Sequence, residues 1–114
     1  MTRSIFEKIA AREIPANIVY EEDDLIAFHD VNPQAPVHVL IVPKRCIPRI
    51  GEAKSGDAEL LGRLLLASKK IARLLEVSES GYRLVINNGR DAGEAVPHLH
   101  VHLLAKRPLA WPPG

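Results

Sequence analysis

The stretch Pro97-His98-Leu99-His100-Val101-His102-Leu103-Leu104 places three of the chain's five histidines at alternate positions. Successive side chains of an extended chain point to opposite faces, so residues i, i+2 and i+4 share one. A strand here puts all three imidazoles on one side and Leu99, Val101 and Leu103 on the other. The sheet that contains it has a chemical face and a core face. Core packing alone gives no reason for histidines at strand spacing with strictly apolar residues between them.

The flanking sequence supplies the rest of that sheet. Asn17 to Glu21 and Leu25 to Asp30 read as two strands of a hairpin about the acidic turn Glu22-Asp23-Asp24. Asn32-Pro33-Gln34-Ala35-Pro36 is a stiff loop, because each proline fixes its own φ and keeps the preceding residue extended. A third strand runs from Val37 to Val42 and stops at Pro43. A fourth runs from Tyr82 to Asn87, and the turn Asn88 to Glu94 leads into the histidine run. Ser4, with Glu7 three residues on, starts a short helix whose apolar side is Ile5, Phe6 and Ile9. Residues 57 to 77 form the longest periodic element, with Asp57 as its expected N-cap.

On that helix Leu60, Leu61, Leu64, Leu65, Ala67, Ile71, Ala72, Leu74 and Leu75 cover an arc of about 180°, interrupted by Ser68, against the ~100° of a typical core-facing stripe. The surplus width points to a second buried surface, which we assign to a subunit. The expected class is α+β, with a mainly antiparallel sheet, one short and one long helix, and a single domain over residues 1–114.

Fifteen Lys plus Arg against fourteen Asp plus Glu leave a net charge of +1, without the basic excess that polymeric nucleic acid attracts. One cysteine, Cys46, allows no intramolecular disulfide and fits a reducing compartment; its plain reading is a small half-buried residue. The N-terminus lacks the apolar core of a signal peptide, and no apolar run approaches the ~20 residues of a membrane span. A cytoplasmic protein that avoids membranes is expected.

Same-face residues on a strand are ~6.6 Å apart and the outer pair ~13 Å, so His98, His100 and His102 cannot share one metal ion. Two of them with His38 could hold zinc, the other candidate ligands being Glu94 and Cys46. The alternative is nucleophilic: one imidazole attacks an electrophilic centre while its neighbours donate to a phosphate and to the departing atom. Backbone N–H groups in the turn Asp91 to Ala95 can face that phosphate, because Gly93 tolerates unusual φ.

His98-Leu99-His100-Val101-His102-Leu103-Leu104 resembles the histidine triad signature. Ile5 to Ile9, Glu13 to Ala16, Ala27 to Asp30, Pro33 to His38, Tyr82 to Asn87 and Trp111 to Gly114 extend the resemblance over nearly the whole chain, to the Hint branch of histidine triad nucleotide-binding proteins. The resemblance implies a homodimer with a continuous ten-stranded sheet, and a purine nucleoside phosphoramidase that works through a nucleotidyl-histidine intermediate without metal or other cofactor. It makes His100 the nucleophile and places His102 on the phosphate and leaving-group side. His98 and His38 order the imidazoles, and Asn87 bonds near phosphate or ribose. The backbone of Gly93, Glu94 and Ala95 holds phosphate oxygens, Asp30 takes the ribose hydroxyls, and Val31, Phe6 and Phe28 wall the base pocket.

Four positions depart from the common pattern: Glu94 replaces a frequent glutamine, Ala95 a serine, Pro97 an aromatic residue, and Cys46 a histidine. A serine hydroxyl at 95 would donate to phosphate or leaving nitrogen, and Glu94 would repel phosphate unless its side chain turns away. Each position also has a plainer role. Phe6, Phe28 and His38 suit a core, Asp30 and Asn87 suit turns, His29 has no assigned role, and Lys44 and Arg45 suit a solvated loop end or the steering of an anion. Leu109 to Pro112 are expected to shape the leaving-group side. Two other functions remain open: a nucleotide-binding regulatory module, and a zinc-dependent hydrolase.

Overall fold

The computed structural model describes residues 2–114. Helix α1 (Ile5–Ala10) is followed by strands β1 (Ile18–Glu21), β2 (Leu25–His29) and β3 (Val37–Pro43), helix α2 (Ala58–Leu74), and strands β4 (Tyr82–Val85) and β5 (Val101–Ala105). The five strands form one sheet in the order β1-β2-β3-β5-β4, and every neighbouring pair is antiparallel. The expected α+β class holds, with α2 crossing from β3 to the far edge.

Strand alternation sorts the two faces. Leu25 and Ala27 of β2, Val39 and Ile41 of β3, and Leu99, Val101 and Leu103 pack with Leu60, Leu64, Ala67 and Ile71 of α2. Ile26, Phe28, Leu40 and Val42 point the other way, against Phe6 and Ile9 of α1. Burying each large apolar side chain contributes about 1.5–3 kcal/mol, so the α2 face carries most of the core.

Helix α1 starts as expected. The Glu7 N–H donates to Ser4 Oγ at 3.0 Å and the Ser4 N–H donates to Glu7 Oε1 at 2.8 Å, a complete capping box. Asp57 does occupy the N-cap position of α2, but it bonds no helix amide. Its carboxylate instead accepts the Lys54 N–H at 2.8 Å and pairs with Arg45. The helix ends at Leu74 rather than residue 77; within one chain Leu65 and Leu74 of its apolar arc are exposed, while Ser68 is buried with its hydroxyl on the Leu65 carbonyl.

The histidine run is the main correction. Its ladder with β3 begins only at Val101, opposite Ile41, so His98 and His100 precede the strand. Pro43, at the end of β3, has no N–H to give, and its carbonyl is taken by His98 Nε2 at 2.7 Å. The Leu99 N–H turns to the Ile47 carbonyl at 2.6 Å instead. The chain stays extended enough that the three histidines still lie opposite Leu99, Val101 and Leu103.

Candidate functional site

On the face away from α2, a cavity of about 350 Å³ opens between α1, the end of β2 and the histidine run. Ile5, Phe6, Ile9, Ile14, Ala16 and Phe28 give it apolar walls, Val31 stands fully exposed at its rim, and Asp30, His100, His102 and Ala95 bring polar groups and backbone to one end. His29, which the sequence left without a role, also lines it.

Phe6 and Phe28 serve as both core and wall. Their rings are 5.6 Å apart and buried, and Phe6 meets His98 and His100 edge-on at 5.5 and 5.1 Å. The chemical face is therefore not a solvent-exposed one: His98 is fully buried and His100 is 8% exposed. The His100 and His102 rings lie 4.8 Å apart.

Fixed backbone groups decide the tautomers of all four histidines. His98 Nε2 faces the Pro43 carbonyl, which only accepts, so Nε2 carries the proton. His98 Nδ1 then accepts from the Ser4 hydroxyl, 2.6 Å away. The His98 carbonyl in turn accepts from His100 Nδ1 at 2.8 Å, which leaves the lone pair of His100 on Nε2. Among the described residues no buried side-chain nitrogen or oxygen lacks a partner, so the unbonded His100 Nε2 is open to solvent at the cavity.

The second pair runs the same way. The Gln34 N–H donates to His38 Nδ1 at 3.0 Å, so His38 carries its proton on Nε2. That nitrogen is 2.9 Å from His102 Nδ1 and 3.4 Å from Asp30 Oδ2. His102 therefore accepts on Nδ1 and holds its own proton on Nε2. Burial first, then the nearby His100 and His38, push His102 down to about 4, and burial also lowers His38 and His98. His38, His98 and His102 are neutral at pH 7.

Two groups of side chains bring three ligand atoms within 4.8 Å: Asp30, His38 and His102, and Glu7, Cys46 and His98. In both, the histidine nitrogens facing one another or Ser4 are already hydrogen-bonded, so a metal would have to displace those bonds. Cys46 is exposed rather than half-buried, with Sγ 3.4 Å from the Pro97 carbonyl.

Several expected residues stand apart from the cavity lining. Asn87 lies beyond the end of β4, and Gly93 turns the chain at φ +81°. Glu94 pairs with Arg49 and does not line the cavity, and its N–H, like that of Gly93, is taken within the turn. Lys44 pairs with Glu21 and Arg45 with Asp57, so neither is a free loop cation. The C-terminal segment does not reach the cavity within one chain: Arg83 holds the Leu109 and Ala110 carbonyls, and Trp111 is exposed. Ser4 is the contributor that sequence reading assigned only to a helix cap.

The HIT domain model matches residues 11–109. An uncharacterized HIT-like protein of Synechocystis is 55% identical over 111 residues, covering 97% of this chain and 96% of that protein. A HIT family hydrolase from Legionella pneumophila superposes with a TM-score of 0.95 at 46% identity, covering 98% of this chain and all of that one. A histidine triad protein from Clostridium difficile gives 0.92 at 38% identity, covering 96% and 97%. With its buried imidazole chain ending in an open His100 Nε2, the protein belongs to the HIT family.

Proposed function

We propose that the protein is a purine nucleoside phosphoramidase of the Hint branch, acting in the cytoplasm as a homodimer. The observation that carries the reading is the tautomer order. His100 presents an unprotonated Nε2 and His102 a protonated one, side by side at the polar end of an apolar cavity.

The chemistry follows from those two nitrogens. The His100 Nε2 lone pair attacks phosphorus and forms an N–P bond as the bond to the amine breaks. His102 Nε2–H hydrogen-bonds the departing nitrogen, which takes a proton from solvent and leaves as the amine. Water then attacks phosphorus, releases its proton to solvent, and frees the nucleoside monophosphate from His100. His98 and, through Ser4, the start of α1 hold the nucleophile; His38 holds the donor.

The apolar walls Phe6, Phe28 and Val31 take the purine ring, and Asp30 takes ribose hydroxyls. Asp30 already accepts the Asn32 N–H on Oδ1 at 2.8 Å, which fixes its carboxylate at the cavity end. In the turn through Gly93, Glu94 and Ala95, the Gly93 and Glu94 N–H groups are taken by the Arg90 and Gly89 carbonyls, so the Ala95 N–H is the one offered to the phosphate, with Asn87 assigned near phosphate or ribose. Exposed Leu65, Leu66 and Leu74 on α2, with Tyr82 on edge strand β4 and Ile86 just beyond it, offer a second copy both helix residues and an open strand. Pairing the two β4 edges gives the ten-stranded sheet.

Steady-state hydrolysis of an adenosine phosphoramidate by metal-free protein tests the reading. Turnover that survives chelation and is lost in His100→Gln supports it, and activity restored only by zinc refutes it. Ala95, where a serine hydroxyl would reach the phosphate end, supports a second reading as a nucleotide-binding module with incidental chemistry. Ala95→Ser raising kcat roughly tenfold favours the enzyme; AMP binding without turnover in both forms favours the module.

A further inference from the structure

The turn between β4 and the histidine run is closed at its neck by backbone and by the Glu94 side chain. Gly89 at φ +87° opens it, a short 3-10 turn spans Arg90–Ala92, and Gly93 at φ +81° closes it. At the neck the Glu94 N–H donates to the Gly89 carbonyl at 3.1 Å, and the Gly89 N–H donates to Glu94 Oε1 at 2.9 Å. Residues 89 and 94 are thus bonded twice, once through backbone and once through the carboxylate.

That carboxylate is also gripped from outside. Arg49 donates from Nε to Oε1 at 2.9 Å and from Nη2 to Oε2 at 3.0 Å, a two-point contact that fixes orientation as well as distance. The Arg49 guanidinium and then the Gly89 amide hold the Glu94 carboxyl down at about 2. Two residues after Arg49, the Gly51 N–H donates to Asn88 Oδ1 at 2.7 Å, and a Cβ on Gly51 would come within 2.9 Å of that oxygen. The turn at residues 49–52 therefore holds the loop at both ends, Asn88 through Gly51 and Glu94 through Arg49. Ala95, the next residue, lines the cavity beside His100 and His102.

We infer that Arg49 is a positioning residue for the phosphate end of the site, fixing the backbone of Gly93 to Ala95 relative to His100 through its two-point contact with Glu94. The pair also removes the cost of an acidic residue at this position. Its carboxylate is bonded to Arg49 and the Gly89 amide outside the cavity lining, its charge is matched, and the Ala95 N–H, unlike those of Gly93 and Glu94, is left for an anion. Arg49 lies outside the cavity lining, so its removal acts on the geometry of attack more than on the apolar grip on the base. This inference rests on the phosphoramidase reading and adds what sets its phosphate loop.

The test measures kcat and KM for adenosine phosphoramidate, AMP affinity and Tm in wild type, Arg49→Ala, Glu94→Gln and the double variant Arg49→Gln/Glu94→Gln. Arg49→Ala should lower kcat about 10–100-fold with KM changed less than about threefold, because misplaced phosphate contacts cost chiefly the transition state. The double variant, which keeps an amide pair and a carbonyl for the Gly89 N–H, should recover to within about fivefold of wild type. If wild type binds AMP but does not turn over, the same ordering should appear in AMP affinity. Arg49→Ala with wild-type kcat and AMP affinity overturns the inference alone, as does a double variant that regains Tm without regaining rate or affinity. Wild type that neither hydrolyses the phosphoramidate nor binds AMP overturns the proposed function and this inference with it.

Discussion

His38 Nε2 lies 2.9 Å from His102 Nδ1, and one backbone amide sets the direction of the proton between them. Because the Gln34 N–H occupies His38 Nδ1, His38 can only donate, and His102 is left with its proton on the nitrogen that faces out. The stiff loop before β3 thereby fixes the protonation of a side chain on β5.

Replacing His38 with alanine removes that donor and frees His102 to hold its proton on either nitrogen. We expect kcat for an adenosine phosphoramidate to fall about 10²-fold or more, the usual cost of losing an oriented donor to the transition state. Nitrogen-15 shifts of the imidazoles check the premise directly: at pH 7 His102 should be protonated at Nε2 and His100 at Nδ1. A wild-type His102 protonated at Nδ1 would be incompatible with the mechanism.

Ser4 does two jobs with one hydroxyl, accepting the Glu7 N–H and donating to the fully buried His98. Ser4→Ala should cost about 1–3 kcal/mol, the sum of a lost helix cap and an unsatisfied buried nitrogen. Ser4→Thr keeps the hydroxyl and should recover most of it. Urea unfolding of the three proteins at pH 7 measures the difference.

Much of this site is visible in the sequence where the signal is periodic. The alternation of His98, His100 and His102 with Leu99, Val101 and Leu103 sorts the faces correctly, because period two needs only an extended chain. What is hidden depends on partners far away along the chain. The ladder stops at Val101 because His98 takes a carbonyl 55 positions earlier. Asp57 fails to cap α2 because Lys54 and Arg45 claim its carboxylate. Glu94 reads as a threat to phosphate until Arg49, 45 positions away, is placed against it. The site's burial is equally illegible, since it comes from Phe6 of α1 folding over His98 and His100.

That burial changes what a nucleophile variant does. His100→Ala leaves a hole beside Phe6 and should lose roughly 1–3 kcal/mol of stability along with turnover. His100→Gln fills more of the space, so it should keep a Tm close to wild type while kcat falls by roughly 10³-fold or more. Thermal melts beside single-turnover kinetics separate the two effects, and retained turnover in a folded His100→Gln would remove His100 from the chemistry.

The depressed pKa of His102 makes stability depend on pH with a definite sign. In the folded protein the group titrates at about 4, whereas the unfolded chain binds the proton near 6.5. Above 6.5 neither state is protonated and the full stability is present. As pH falls below 6.5 the unfolded state takes up a proton that the folded state refuses, and stability is lost until the folded group titrates near 4. Between pH 7 and 5 the loss from this group alone is roughly 2 kcal/mol at most, at 1.36 kcal/mol per pH unit of difference. His98 and His38, also lowered by burial, add losses of the same sign. Glu94, held near 2, titrates below this window and contributes little to it. His102→Asn removes one of the titrations, so its stability should fall less steeply between pH 7 and 5 than that of wild type. Urea midpoints at half-unit pH intervals measure both slopes, and parallel slopes would show that His102 is not held neutral by the fold.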